Sequence, residues 1–251
     1  MVRWHNRIMR KPEAGRERQS VLVLVHSPLV GPSAWEPTAA ILRESGHPVV
    51  VASLATGTDG PGPSCPRLAG LVATAVAESG VAGPVVLVGH SGAGPLLPAI
   101  AEGLPLPVAA IVFVDAQLPH PGRSWLAAAP AEIADQLRDL AVGGMLPPWN
   151  QWFPPEAIAA LLPEPEQRER FIAELPRLPL SYFEETARVT SGPDVPCAYV
   201  RLSAAYDRQA TICADRGDPV VRADSDHLAP YTDPGTVSAA LREAVSLLGL
   251  G

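Results

Sequence analysis

Lysine is almost missing from this 251-residue chain: Lys11 is the only one, and arginine makes up the rest of its 19 basic side chains. Lysine chemistry is thereby excluded from the body of the protein. The Gly-rich loop Gly57-Thr58-Asp59-Gly60-Pro61-Gly62 lacks the lysine and the spacing of a phosphate-binding loop. Cysteine is scarce as well. Cys65, Cys197 and Cys213 are odd in number and widely scattered, which fits neither a disulfide framework nor a C-x-x-C metal site. Free thiols in a reducing compartment are the expectation. The net charge of −7 comes without an acidic run, and there is no basic stripe, so nothing points to a polyanion partner. No apolar run is long enough to span a bilayer. Residues 1–19 are polar and Arg-rich and have no apolar h-region. A soluble, cytoplasmic protein is expected, with no cofactor, no metal, no nucleic-acid partner and no membrane; its oligomeric state is open.

What is present is a large apolar fraction, 47% of residues, in a pattern of short buried runs. Val21–Val25, residues 48–53, the run from Val85 and residues 109–115 are aliphatic or β-branched throughout, as strands covered on both faces are. Helical periodicity fills the gaps at 35–44, 68–78 and 91–102. This βαβαβ alternation predicts a mostly parallel, doubly wound α/β sheet. At Ala116 the character changes. Residues 116–194 hold many prolines, no strand pattern and four short amphipathic segments near 131–140, 155–162, 166–175 and 180–189. They read as a helical lid inserted over one end of the sheet. Strand character returns at 197–202 and 219–222, and an amphipathic helix over 233–248 closes the chain. The expected organisation is an extension at 1–19 with one edge strand near Val2–Met9, a core formed by 20–115 and 195–251, and the lid at 116–194.

The stretch that carries chemistry is Val85-Val86-Leu87-Val88-Gly89-His90-Ser91-Gly92-Ala93-Gly94. A serine at a Gly-x-Ser-x-small turn between strand and helix is held at the tip of a tight bend with its hydroxyl exposed. Its plainer role would be to cap the helix that follows. A hydroxyl becomes a nucleophile only when a base takes its proton and a third group orients that base. His227, in Asp224-Ser225-Asp226-His227 between the last strand and the last helix, is the only histidine after residue 120. Chain order places the acid at Asp207, after strand 197–202, with Asp115 as the alternative; Asp224 and Asp226 suit turn chemistry. An oxyanion formed during acyl transfer needs N–H donors. Gly92 supplies one, and the loop His26-Ser27-Pro28-Leu29 is the expected source of the second. His26, His90, Trp125, Trp149, Trp152 and Phe153 are expected to line the substrate pocket, although the lid aromatics also suit a small core of their own.

The segments VLVHSPLVGPSAW, LVGHSGAG, VFVDAQLP and DSDHLA together resemble the α/β-hydrolase fold superfamily over residues 20–250. Within it they look most like the plant methylesterase and hydroxynitrile lyase branch and its bacterial carboxylesterase relatives. The resemblance implies a Ser91–His227–Asp207 triad, a lid and ester-type hydrolysis of a small, largely apolar molecule. The alternative is a lyase, cyclase or epimerase that uses His227 and Ser91 for proton transfer alone. The chain departs from the family pattern in three places. Ala93 stands where glycine is commonest, His26-Ser27 replaces a His-Gly pair, and Pro28 stands where the family takes its second oxyanion N–H, which proline lacks. Leu29 is the remaining backbone donor in that loop. Hydroxynitrile lyases of this branch rely on a lid lysine, which is absent here, and Ser91 replaces the aspartate that epoxide hydrolase chemistry needs.

Overall fold

The computed structural model describes residues 19–60, 62–188 and 194–250. The expected edge strand near Val2–Met9 lies outside them. Six strands form one sheet: β1 (Val21–Val25), β2 (Val49–Ala52), β3 (Val85–His90), β4 (Val108–Val114), β5 (Cys197–Arg201) and β6 (Val220–Arg222). Their order is β2-β1-β3-β4-β5-β6 and every pairing is parallel. The α/β class read from the alternation is the fold observed.

Alternation along each strand sorts its side chains between two faces. Val21, Val23, Leu87, Ile111 and Phe113 pack under α2 (Ser64–Glu78), α3 (Leu97–Gly103) and α9 (Asp207–Asp215). Leu22, Leu24, Val86, Val88, Val112 and Val200 pack under α1 (Glu36–Glu44) and the closing helix, Pro234–Leu247. Both faces are covered, so the strands read as unbroken apolar runs and not as alternating ones.

The segment between β4 and β5 carries α4 (Trp125–Ala128), α5 (Ala131–Leu140), α6 (Pro155–Leu161), α7 (Pro165–Ala173) and α8 (Leu180–Glu184). It builds two apolar clusters. In one, Phe171, Leu162 and Leu175 meet Val30 and Ala34 from the loop after β1 and Leu228 and Tyr231 from beyond β6. In the other, Leu126, Leu137, Leu146 and Phe183 pack mainly on one another. A further tie is electrostatic. The Glu185 carboxylate accepts from the Ser64 and Cys65 amides at 2.7 and 3.1 Å, which caps the N-terminus of α2 where Pro63 offers no side-chain cap. The insert is thus fixed above the carboxyl edge of the sheet, where the strands deliver Ser91 and Asp115.

Two short elements depart from the sequence expectation. Residues 91–102 form a 3₁₀ turn, Ser91–Leu96, before α3 begins, because Pro95 lies inside the first turn. The stretch after β5 is a 3₁₀ turn, Ala204–Tyr206, running into α9, where a loop bearing the acid is expected.

Candidate active site

β3 ends at His90 and the chain reverses through Ser91, whose φ is 57°. A non-glycine residue is held in this left-handed region only where its surroundings fix it. The contacts that fix it are visible. The Gln117 amide donates to the Ser91 carbonyl at 3.1 Å, and a Cβ on Gly94 would lie 1.9 Å from the Gln117 carbonyl oxygen. The turn therefore presses against the chain leaving β4, and only glycine fits at position 94.

That departing chain carries Asp115, itself at φ 41° and fully buried. Tyr199, on β5, pins the next residue: its hydroxyl accepts from the Ala116 amide at 3.0 Å and donates to the Ala116 carbonyl at 2.9 Å. The Asp115 carboxylate accepts from the Leu202 amide (2.8 Å), the Ser203 amide (3.0 Å) and the Ser203 hydroxyl (2.5 Å). His227 Nδ1 lies 3.0 Å from Asp115 Oδ2, and His227 Nε2 lies 3.0 Å from Ser91 Oγ. A carboxylate can only accept, so Nδ1 carries the hydrogen and Nε2 presents its lone pair to the serine hydroxyl. Burial is the largest influence on Asp115 and favours its neutral form. The hydrogen bonds from His227 and Ser203 outweigh it, and the carboxyl titrates below its ordinary range.

Asp207 is not at His227. It opens α9 and faces outward, where its carboxylate accepts from Arg201 Nε at 2.7 Å and Arg222 Nη1 at 2.9 Å. Arg201 and Arg222 are partners in the β5–β6 register, so both guanidinium groups converge on it. The hydrogen bond from Arg201 is the leading cause that holds its pKa low. The carboxylate that meets His227 is therefore not Asp207, expected from chain order, but the alternative, Asp115. The two strand-end arginines were the sequence signal that Asp207 had other partners.

The histidine loop is built as its composition suggests. Asp226 accepts from the Leu228 amide at 2.7 Å, and Asp224 pairs with Arg201 at 2.8 Å. His90 Nε2 donates to the His227 carbonyl at 2.9 Å from beneath, its own pKa lowered by burial. Tyr206 lies over His227 as a parallel ring, centroids 4.9 Å apart and planes 7° apart. Its hydroxyl reaches the Ser91 and Gln117 side chains, and burial pushes its pKa up to about 12, so it stays protonated at neutral pH. Nothing in the sequence reading pointed to Tyr206.

The remaining residues divide. Gly92 follows Ser91 as the second residue of the 3₁₀ turn, a position whose amide has no partner within the turn itself. The Leu29 amide, expected to stand open as a second oxyanion donor, instead donates to Ser27 Oγ at 3.2 Å, because the loop folds back on itself over Pro28. His26 is a structural residue: Nδ1 donates to the Ser27 carbonyl at 2.8 Å and Nε2 accepts from the Leu54 amide at 3.0 Å. Burial lowers its pKa to about 4. A cavity of about 50 Å³ adjoins Gly92 and is walled by Trp125, Tyr182, Leu96, Pro95, His120 and Cys65, with Glu185 and Ala187 at its edge. Of the aromatics expected to line it, Trp125 does. Trp152 packs against Phe183 and donates its indole N–H to Pro147, while Trp149 and Phe153 contact each other edge to face. Trp149 also borders the cluster around Phe171 and Tyr231, Phe153 is exposed, and none of the three is in the wall of that cavity. His120 and Tyr182 were not anticipated.

Among the described residues no cluster of His, Cys, Asp or Glu has the grouping of a metal site. No helix among them is long and apolar enough to cross a membrane.

A sequence profile of the alpha/beta hydrolase family matches residues 22–240. The chain belongs to the alpha/beta hydrolase family. No curated protein matches it by sequence. Solved members of the fold that it resembles include an extracellular α/β-hydrolase from a Paenibacillus species, said to share structural and functional homology with tobacco salicylic acid binding protein 2. That structure has 20% identity, a TM-score of 0.72 and coverage of 90% of this chain and 98% of that one. Tomato methylketone synthase I in complex with 2-tridecanone has 18% identity, a TM-score of 0.66 and coverage of 92% and 99%. A methylesterase from Arabidopsis has 18% identity, a TM-score of 0.65 and coverage of 91% and 99%. At these identities the likeness is one of fold.

Proposed function

We propose that this alpha/beta hydrolase family member is a serine hydrolase that cleaves a carboxylic ester, lactone or thioester through an acyl-enzyme on Ser91. The observation that carries the reading is the unbroken relay Ser91–His227–Asp115, with both links at 3.0 Å. In this mechanism Ser91 Oγ attacks the acyl carbon as its proton passes to His227 Nε2. Asp115 holds the imidazole in the accepting tautomer and stabilises the imidazolium. The carbonyl oxygen takes up the negative charge beside the Gly92 amide. Collapse releases the alcohol or thiol with the proton from His227, and water repeats the sequence on the acyl-enzyme. The insert over 116–194 serves as a lid. The small cavity with Trp125 and Leu96 in its wall suits a compact apolar acyl or alcohol group. The likeness in fold to a methylesterase agrees with this choice of substrate class.

A second reading, proton transfer by His227 with no acyl-enzyme, draws on the missing amide hydrogen at Pro28. One experiment separates the two. A fluorophosphonate probe is expected to add its phosphonyl group to Ser91, located by peptide mass spectrometry, and to leave Ser91→Ala unlabelled. Nitrophenyl esters of graded chain length should be hydrolysed by the wild type, and at least about 10³-fold more slowly by the variant. An unlabelled wild type that hydrolyses none of the esters would refute the hydrolase reading.

A further inference from the structure

We propose that the Ser27 hydroxyl is a second oxyanion donor and replaces the backbone hydrogen that Pro28 cannot supply. The inference rests on the hydrolase reading of Ser91 and concerns how that site holds negative charge.

Three observations lead to it. Neither backbone position after Ser27 offers a free N–H: proline has none at 28, and the Leu29 amide is engaged at 3.2 Å by Ser27 Oγ itself. Ser27 Oγ also lies beside the first donor. A Cβ built on Gly92 would sit 2.8 Å from it, closer than any other atom, with Pro28 Cδ next at 3.8 Å. The Ser27 hydroxyl is therefore packed against the Gly92 Cα, one bond from the Gly92 amide nitrogen. Finally, Ser27 is 2% exposed, and its hydroxyl has no hydrogen-bond acceptor among the described residues.

A serine hydroxyl has one hydrogen and two lone pairs. Here one lone pair is taken by the Leu29 N–H, and that bond polarises the O–H and strengthens it as a donor. The backbone on either side is fixed. The Ser27 carbonyl accepts from His26 Nδ1 at 2.8 Å and from the Val30 amide at 3.1 Å. The hydroxyl is held before the reaction begins, as an oxyanion donor must be to act without reorganisation. As the Ser91 Oγ–C bond forms, the carbonyl π pair moves onto oxygen, which accepts hydrogen bonds from Gly92 N–H and Ser27 O–H. The Ser27 proton stays on Ser27 throughout. When the tetrahedral centre collapses the pair returns to the carbonyl.

The test uses Ser27→Ala and Ser27→Cys, which remove or weaken the donor, and Ser27→Thr, which keeps it. The readouts are kcat/KM for p-nitrophenyl butyrate, the inhibition constant of an aliphatic trifluoromethyl ketone, whose hemiketal carries an oxyanion, and the melting temperature. Ser27→Ala and Ser27→Cys are expected to lose about 10²–10³ in kcat/KM, mostly in kcat, and a similar factor in ketone affinity, at a near-native melting temperature. Ser27→Thr should recover most of both. Either donor-deficient variant within about threefold of the wild type in both readouts overturns the assignment. So does a loss of rate with ketone affinity unchanged, which would make Ser27 merely structural. If the wild type is neither labelled by fluorophosphonate nor active on the ester, the hydrolase reading falls and this one with it. If the wild type is labelled and active but the variants match it, only the Ser27 assignment falls.

Discussion

Replacing Asp115 by asparagine isolates its role, because the surrounding hydrogen bonds dictate how the new amide must sit. Oδ1 accepts from two backbone amides, those of Leu202 and Ser203, so the amide oxygen has to stay there. The NH₂ group then falls at the position of Oδ2, 3.0 Å from His227 Nδ1. A donor facing Nδ1 forces the imidazole hydrogen onto Nε2, where it points at Ser91 Oγ and can no longer accept the serine proton. Tautomer inversion of this kind is expected to lower kcat by about 10³–10⁴, or about 4–5.5 kcal/mol in the barrier. Asp207→Asn breaks a half-buried pair with Arg201 and an exposed one with Arg222, both away from His227, and should leave kcat/KM within about threefold. Both variants would be assayed on the best nitrophenyl ester, with circular dichroism confirming the fold. If Asp207→Asn lost activity by a thousandfold while Asp115→Asn stayed within tenfold, the relay would be assigned to the wrong carboxylate.

Two further outcomes follow from buried contacts near the site. His26 is held neutral, with a folded pKa of about 4 against 6.5 for the unfolded chain. Between these values the unfolded state binds a proton that the folded state does not, so stability rises with pH and is lost on acidification through that window, by about 3 kcal/mol for this residue. Urea unfolding at pH 4.5 and pH 7 should show that loss in the wild type and a smaller one in His26→Gln; equal losses would exclude His26 as its source. Gly94→Ala would place a methyl group 1.9 Å from the Gln117 carbonyl, backbone against side chain with no flexible neighbour to yield. A loss of about 3 kcal/mol or more is expected, and a melting temperature within about 2 °C of the wild type would argue against that close approach.

The sheet was readable because a doubly covered strand needs apolar side chains on both faces, and the runs at 21–25, 85–88 and 108–114 supply them without interruption. Ser91 was readable because small residues surround it at a strand-to-helix turn, and His227 because no other histidine follows residue 120. The short helices of the insert were readable in outline from their periodicity. Their aromatic residues were not assignable to cavity or core, since the same Trp or Phe suits either, and only packing put Trp125 at the cavity and Trp152 in the cluster with Phe183. Tyr206 carried no local pattern at all; its place over His227 comes from the 3₁₀ turn that leads into α9.

By itself, the sequence determined the parallel α/β architecture, the serine at its turn and the histidine that serves it, because each is written in local pattern or in scarcity. The tertiary structure alone decided which carboxylate meets that histidine. Asp115 and Asp207 both follow strand ends on the same edge of the sheet, and chain order pointed to Asp207. They are separated by partners distant in the chain. The Arg201 and Arg222 register draws Asp207 outward, while the Leu202 and Ser203 donors hold Asp115 ionised against His227. The same is true of Ser27, whose hydroxyl gains a role only because folding brings it beside Gly92 at the gap left by Pro28.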